Sequence, residues 1–357
     1  MSDIFLNETP IRTSKNFNIN SIKIDSNDIQ KYLNKKNTFS NVTLEYDNTN
    51  VIIDENVESV ATIYGISKEL TENVNNFANN KKRIVIDENN KIPINLTFNF
   101  DEENNSLINN INIIAKENSK STVIFKYASK EDVKAFHNKI LKVNAEGNSV
   151  IDIIIVNFMN LDSINLITVE NEIADNAVVN YTIIDFGGKT SITNYYSNLI
   201  GKESKNNLNT IYLGKDNQLF DLNYIAHLRG EKSDVNIEVQ GALKDKSKKH
   251  FKGTIDFKKG AKKAKGNENE SCVLLSETAK SIALPMLLCS EEDVEGNHSN
   301  SAGKIGDKEL FYIMSRGFDK KEAMKLIVRA KFNSIISKIQ AENLKKEILD
   351  EIDKKID

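Results

Sequence analysis

Residues 149–186 read SVIDIIIVNFMNLDSINLITVENEIADNAVVNYTIIDF, and this stretch sets the pattern of the whole chain. Three runs of Val, Ile, Thr, Phe and Tyr are separated by short clusters of Asn, Asp and Ser, which is typical of β-strands bounded by turns. Similar runs recur from about residue 83 to about residue 300, and no convincing helical pattern interrupts them. The sequence therefore predicts a mainly β core without the alternating helices of a Rossmann fold.

Two architectures fit such a strand series, namely a sandwich or barrel and a parallel β-helix. The hairpin dipeptides Asn-Gly and Asp-Gly are absent, and a single Gly187-Gly188 pair occurs. Sandwiches and barrels depend on tight hairpin turns, whereas a solenoid does not. Asn at the bends also suits a solenoid, since Asn tolerates a left-handed backbone. These features favour a parallel β-helix, although the sequence shows no strict repeat period.

The regions on either side of this core have a different composition. Residues 1–82 predict a mixed α/β region with short helices in DSNDIQKYLNKK and SKELTENVNNFANNKK. Residues 304–357 predict a helical region that follows a β-helix core at residues 83–303. In that last region Asp307 is predicted to cap a helix, and Asp319 to cap the next one.

The composition excludes several classes of protein. The 357 residues carry a net charge of −3, which gives no basic excess for nucleic acid. The first residues lack a signal-peptide pattern, and no apolar run approaches the ~18 residues that span a membrane. Two cysteines, Cys272 and Cys289, are too few for a disulfide framework. We therefore expect a cytoplasmic protein with reduced thiols that binds neither membrane nor nucleic acid.

The search for reactive groups leaves few candidates. Phosphate-binding loops, zinc-protease motifs, C-x-x-C pairs and nucleophile elbows are all missing from the sequence. His298 lies among small polar residues and not far along the chain from Cys289. Imidazole and thiolate both bind iron, so His298 is a candidate ligand. Cys272 is a weaker candidate, because a small buried apolar role is the ordinary one for such a cysteine.

The segment after His298 resembles a known family. GKIGDKELFYIMSRGFDKKEAMKLIVRAKF is similar to the C-terminal signature of the SufB/SufD family, the scaffold subunits of SUF-type iron–sulfur cluster assembly. The resemblance is specific from about residue 251 to about residue 332. It is carried by His298, Gly303-Lys304-Ile305, Leu310-Phe311-Tyr312, Arg316-Gly317, Glu322-Ala323 and Phe332.

The resemblance implies a fold and a SufD-like role. Family members are right-handed β-helices between helical terminal regions. SufB-type chains carry a cysteine and a glutamate at the positions occupied here by Ser271 and Ser299, so the chain resembles SufD. Cys272 is one residue away from the SufB cysteine position. His298 matches the family's histidine and is implied to hold a transient cluster at a subunit interface.

The resemblance also implies partners. A SufD-like chain is a non-catalytic scaffold that pairs with a SufB-like subunit, and a SufC-type ABC ATPase docks on its helical tail. Whether a reduced flavin associates with the complex stays open, because the sequence does not decide it. The residues that we expect to contact the ATPase are Leu310, Phe311, Tyr312, Arg316, Leu326 and Ile327.

Two other functions stay open at this point. One is a homodimeric scaffold of the same family that acts without SufB. The other is a carbohydrate-active β-helix enzyme, which requires clustered Asp, or Lys and Arg, on one solenoid face. Co-purification with an ATPase distinguishes the scaffold from the enzyme.

Overall fold

A computed structural model describes residues 3–13, 19–33 and 35–357 of the chain. Sixteen consecutive strands form its centre. They are β5 (Asn80–Ile86), β6 (Ile94–Phe100), β7 (Ser106–Ala115), β8 (Lys120–Ser129), β9 (Phe136–Ala145), β10 (Val150–Phe158), β11 (Ile164–Ile173), β12 (Val178–Asp185), β13 (Thr190–Leu199), β14 (Lys205–Gly214), β15 (Leu219–Leu228), β16 (Asp234–Leu243), β17 (Lys248–Phe257), β18 (Ala264–Leu274), β19 (Lys280–Cys289) and β20 (Val294–Lys304).

These strands wind into a parallel β-solenoid of about eight turns. Each turn contributes one strand to each of two sheets, so that even-numbered strands stack from β6 to β20 and odd-numbered strands from β5 to β19. Every neighbouring pair within these two stacks is parallel, as in the pairing of β18 with β20. The predicted parallel β-helix is confirmed, and the sandwich or barrel alternative is wrong.

Six turns along one edge of the solenoid each contain one residue with a left-handed backbone conformation. The N–H of each of these residues donates to a carbonyl of the following turn, and the N···O distances in the first five turns are 2.8–3.0 Å. Successive residues are 27 to 31 positions apart, which is the period that the sequence conceals because only half of them are Asn. They are Asn118, Asn148, Asn176, Glu203, Lys232 and Lys263.

The N-terminal elements cover the solenoid. Strands β3 (Val42–Glu45) and β4 (Val51–Asp54) pair antiparallel with β6 and β5, which ends both sheets there. Strands β1 (Asp3–Leu6) and β2 (Ile22–Asp25) pair with each other. They pack with helices α1 (Ser26–Gln30) and α2 (Lys68–Phe77) on the outer face of the odd-numbered sheet.

The caps of these two helices follow the sequence prediction. The side chain of Asp25 accepts a hydrogen bond from the N–H of Asn27, and that of Ser67 accepts one from Leu70. Both predicted N-terminal helices are therefore confirmed, with α1 shorter than the quoted segment.

The C-terminal helices pack on the opposite face. They are α3 (Asp307–Ser315), α4 (Lys320–Ile336) and α5 (Glu342–Ile356). Apolar residues of α4 and α5 form a second core with the outer face of the even-numbered sheet. No helix among the described residues is long and apolar enough to cross a membrane.

One of the two predicted caps in this region is correct. Asp319 accepts from the N–H of Glu322 at 2.9 Å and caps α4 as expected. The prediction for Asp307 is wrong, because Gly306 occupies the cap position of α3 and Asp307 is already the first helical residue. The extended backbone of Gly306 provides the cap geometry without any side-chain hydrogen bond.

Candidate functional site

His298 lies at the open C-terminal end of the solenoid. Its strand β20 is the last of the even-numbered sheet and pairs on one side only, with β18. Side chains alternate along a strand, so His298 shares a face with the interior residues of β18. In the parallel register His298 stands next to Glu268. The imidazole is on the inward-facing side of the last strand, but it is exposed because no further strand of the described chain lies beyond β20.

Glu268 is buried directly below this open end. It is 2% exposed, and neither carboxylate oxygen has a hydrogen-bond partner in the part of the chain that the structure describes. The pKa of Glu268 is raised to about 8, mainly by burial and to a lesser extent by the neighbouring charge of Glu270. The carboxylate reaches across the interior to Gly253 of β17, where an added Cβ would lie 1.9 Å from Oε2.

Glu270, one position further along the same interior face, is well partnered. Lys249 Nζ donates to Oε1 of Glu270 at 2.7 Å, and the Tyr212 hydroxyl donates to the same oxygen at 3.0 Å. The ion pair is fully buried. Gly241 makes room for the Tyr212 ring, since a Cβ there would lie 1.8 Å from it. Lys249 therefore compensates one of the two neighbouring glutamates.

The structure does not bring Cys272 and His298 together. Cys272 faces the interior but stands in register with Ala302, four residues along β20 from His298. Four residues of extended chain correspond to roughly 13 Å. Burial raises the pKa of the Cys272 thiol, which favours the protonated form. Among the described residues no group of three His, Cys, Asp or Glu side chains is arranged to hold a metal ion.

Glu268 and Glu270 occupy the interior between these two candidates, and neither is among the residues predicted from the sequence. The available signal was the alternation in GNENESC, residues 266–272, which places every second residue on one face of a strand. Polar residues of the segment GNENESC suggest a solvated strand, and only the solenoid turns this face inward. Cys289 is exposed near the end of β19.

The residues expected to contact the ATPase divide into two groups. Phe311 and Tyr312 of α3 are 74% and 60% exposed, and Leu326 of α4 is 41% exposed. Arg316 is exposed, donates to the Tyr312 hydroxyl at 3.2 Å and lies over its ring. Leu310 is half-buried, so it is only partly available to a partner. Ile327 is 4% exposed and faces inward from α4.

The fold and the site together define a parallel β-solenoid with an imidazole above buried carboxylates at one open end. Residues 98–331 match the model of the SUF system FeS cluster assembly, SufBD core domain. The chain belongs to this family, whose role is iron–sulfur cluster assembly. Membership sets aside the carbohydrate-active alternative.

The curated relatives place the chain near SufD. It is 26% identical over 269 residues to the iron–sulfur cluster assembly protein SufD of Bacillus subtilis, covering 74% of this chain and 61% of that protein. It is 24% identical over 241 residues to SufD of Escherichia coli, covering 67% and 57%. A SufBD family protein of Pyrococcus horikoshii is 31% identical over 166 residues, covering 46% and 36%. The chain thus spans about 60% or less of these relatives.

Proposed function

We propose that this chain is a SufD-like scaffold subunit that pairs with a SufB-like chain and a SufC-type ABC ATPase in the cytoplasm. In this proposal a nascent iron–sulfur cluster is held at the shared interface and passed on, while ATP hydrolysis belongs to the partner. The observation that carries the proposal is the position of His298 on the last strand of the solenoid, where a partner can reach it.

The open end also offers a surface for the second subunit. Strands β19 and β20 end their sheets, so their outer N–H and C=O groups have no neighbouring strand in the described part of the chain. Unpaired edges of this kind readily accept a strand from another chain. A second β-solenoid placed there brings its own ligands opposite His298. A second copy of this chain is the alternative partner, which gives the homodimeric scaffold.

The proposed ATPase surface consists of Phe311, Tyr312, Arg316 and Leu326. No residue of α3 is buried, and all of α3 is described, so its aromatic side chains do not stabilise the core. Exposed aromatic and Arg side chains are the common anchors of protein interfaces, each contributing about 2 kcal/mol or more. We leave Ile327 outside this surface because its side chain is buried in the packing of α4.

Co-expression with a SufB-like chain and a SufC-type ATPase tests the proposal. We expect the three chains to co-purify, and Phe311→Asp to remove the ATPase without lowering the melting temperature of this chain. Ile200→Asp is the matched control, since Ile200 is an apolar residue with 44% exposure that follows β13 of the odd-numbered sheet, whereas the C-terminal helices pack on the even-numbered sheet. Retention of the ATPase by Phe311→Asp would refute the proposed surface, and failure of all partners to co-purify would refute the scaffold role.

A further inference from the structure

We propose that Glu268 is a second ligand, beside His298, for a divalent metal ion at the open end of the solenoid. We also propose that Gly253 positions the Glu268 carboxylate by leaving the space that it occupies. The ion is ferrous iron as a substrate of cluster assembly, so the inference rests on the proposed function. The two donor atoms are a carboxylate oxygen of Glu268 and an imidazole nitrogen of His298, and this donor set suits divalent iron.

The first support is the register. Glu268 and His298 are direct neighbours on adjacent parallel strands, and their side chains share the interior face. Neighbouring strands lie about 4.8 Å apart, so both side chains can reach one ion between them. The residues in register with Glu268 on the two preceding strands of the same sheet are Ile237 and Leu208, which are buried and apolar. Among these register positions, an acidic side chain therefore occurs only on the strand next to His298.

The second support is that the Glu268 carboxylate is unpaired. A buried carboxylate without partners costs several kcal/mol of stability, and an apolar residue in this column would avoid that cost. Glu270 has Lys249 and Tyr212, whereas neither oxygen of Glu268 has a partner among the described residues. Lys249 and Tyr212 therefore satisfy Glu270 alone, and neither donates a hydrogen bond to Glu268. A divalent cation supplies the missing partner.

The third support is the space provided at Gly253. Any side chain at this position would collide with Oε2 of Glu268, at 1.9 Å from an ideal Cβ, on the opposite sheet. The obstacle is the end of a flexible side chain and not backbone, so an alanine there displaces the carboxylate while the fold survives. Gly253 is therefore a positioning residue for Glu268.

Two protein ligands on one chain leave most coordination positions of the ion open. Among the described residues no third His, Cys, Asp or Glu side chain joins these two. Side chains or sulfide from the partner side can complete the coordination, and two ligands release the ion more readily than a closed site does. The arrangement suits loading and transfer of iron better than permanent storage.

Binding of Co(II), a spectroscopic substitute for Fe(II), to the isolated full chain tests the inference. A Cys289→Ser background removes the exposed thiol as a competing ligand. We expect one Co(II) per chain, with affinity at least tenfold weaker in Glu268→Gln and in His298→Ala. Glu295→Gln is the matched control, because Glu295 lies on the same strand as His298 but pairs with Lys265 on the outer face. We expect it to stay within twofold of the parent.

Gly253→Ala tests the positioning role separately. We expect weaker Co(II) binding with an unchanged or higher melting temperature, which a merely structural role of Gly253 does not produce. If Glu268→Gln fails to fold, Glu268→Asp replaces it, because aspartate keeps the carboxyl group and shortens the side chain by one methylene; we expect intermediate affinity.

The outcomes separate this inference from the proposed function. Equal Co(II) affinity of Glu268→Gln and the parent, or an equal loss in Glu295→Gln, would overturn the role of Glu268, and so would a parent chain that binds no Co(II) at 1 mM. None of these results affects co-purification with the partners. Conversely, Co(II) binding that depends on Glu268 in a chain that assembles with no partner supports the site and rejects the scaffold role.

Discussion

His137 and Lys139 show how strongly the solenoid interior acts on single residues. Both are fully buried, and both face the interior from β9. Lys139 donates to the Tyr127 hydroxyl at 2.9 Å, and its Nζ lies 3.3 Å from the centre of the Phe125 ring. Burial lowers the pKa of Lys139 well below its usual range and that of His137 to about 3. His137 is therefore held in its neutral form at pH 7, and the charged form of Lys139 is disfavoured.

The buried His137 predicts a loss of stability in mild acid. Its folded pKa of about 3 lies below the unfolded value of about 6.5, so the unfolded chain binds the proton first as the pH falls. The contribution of neutral His137 to the free energy of unfolding is fully present above pH 6.5. It declines toward pH 3 by up to about 1.4 kcal/mol per pH unit. Urea unfolding at pH 7, 6 and 5 measures this slope.

His137→Gln should make the slope shallower, because the glutamine does not titrate. His227, whose pKa burial lowers to about 4, acts in the same direction in both proteins and therefore cancels from the comparison. Identical slopes for the variant and the parent would show that His137 is not held neutral by the fold.

For His298 we expect the reverse of the His137 result: its substitution changes function and leaves stability unchanged. Its side chain is exposed, and truncation of an exposed polar side chain usually costs less than about 0.5 kcal/mol. His298→Ala should leave the complex with its partners intact and lower its iron and sulfide content severalfold. Chemical analysis of the purified complex, beside its melting temperature, is the measurement. Full iron and sulfide in the variant would exclude His298 as a ligand.

At the scale of elements, the turns of the solenoid depend on a backbone conformation that few residues adopt readily. Lys263 has a φ of +59° and its N–H donates to the carbonyl of Asp293 in the next turn. The left-handed region costs an ordinary residue roughly 1 kcal/mol more than it costs Asn or Gly. Neighbouring turns carry Asn148 and Asn176 at the equivalent position, which satisfies the same geometry with less strain.

Lys263→Asn should therefore stabilise the protein by up to about 1 kcal/mol. The substitution keeps the turn hydrogen bond, because that bond uses the backbone N–H. Thermal unfolding compared with Lys265→Asn is the test, since Lys265 lies two residues further on, in extended backbone on β18. A lower melting temperature for Lys263→Asn than for Lys265→Asn would contradict the strain argument.

At the scale of the whole molecule, two cores share the even-numbered sheet. The solenoid interior packs on one face, and α4 and α5 pack on the other through side chains such as Ile335 and Ile348. Because the even-numbered strands from β8 to β18 contribute to both cores, we expect the helices and the solenoid to unfold together. The exposed α3 lies outside this cooperative unit.

Ile335→Ala tests this coupling. The side chain is fully buried between α4 and the sheet, so its truncation should cost about 2–5 kcal/mol and lower one common transition. Circular dichroism of the helices and the intrinsic fluorescence of the interior tyrosines should report the same midpoint. Leu326→Ala, on the exposed side of α4, is the control and should shift the midpoint little. Two separate transitions would show that the helices fold independently.

The sequence by itself determined the features that arise from local interactions. Alternating β-branched runs such as residues 150–158 specify strands, and Ser67 and Asp319 cap their helices through bonds to residues three positions away. The absence of hairpin dipeptides separated a solenoid from a sandwich. The motif around His298 gave the family, because it is a contiguous stretch of chain.

Only the tertiary structure decided which of these residues meet. Glu268 lies beneath His298 although 30 positions separate them, since the strand register depends on turn lengths that vary from one turn to the next. The same register keeps Cys272 away from His298. Exposure of Phe311 and burial of Ile327 were likewise undetermined, because a helix pattern shows which residues are apolar but not which face finds a sheet to pack against. Such long-range packing depends on all the turns of the solenoid together, and no short segment encodes it.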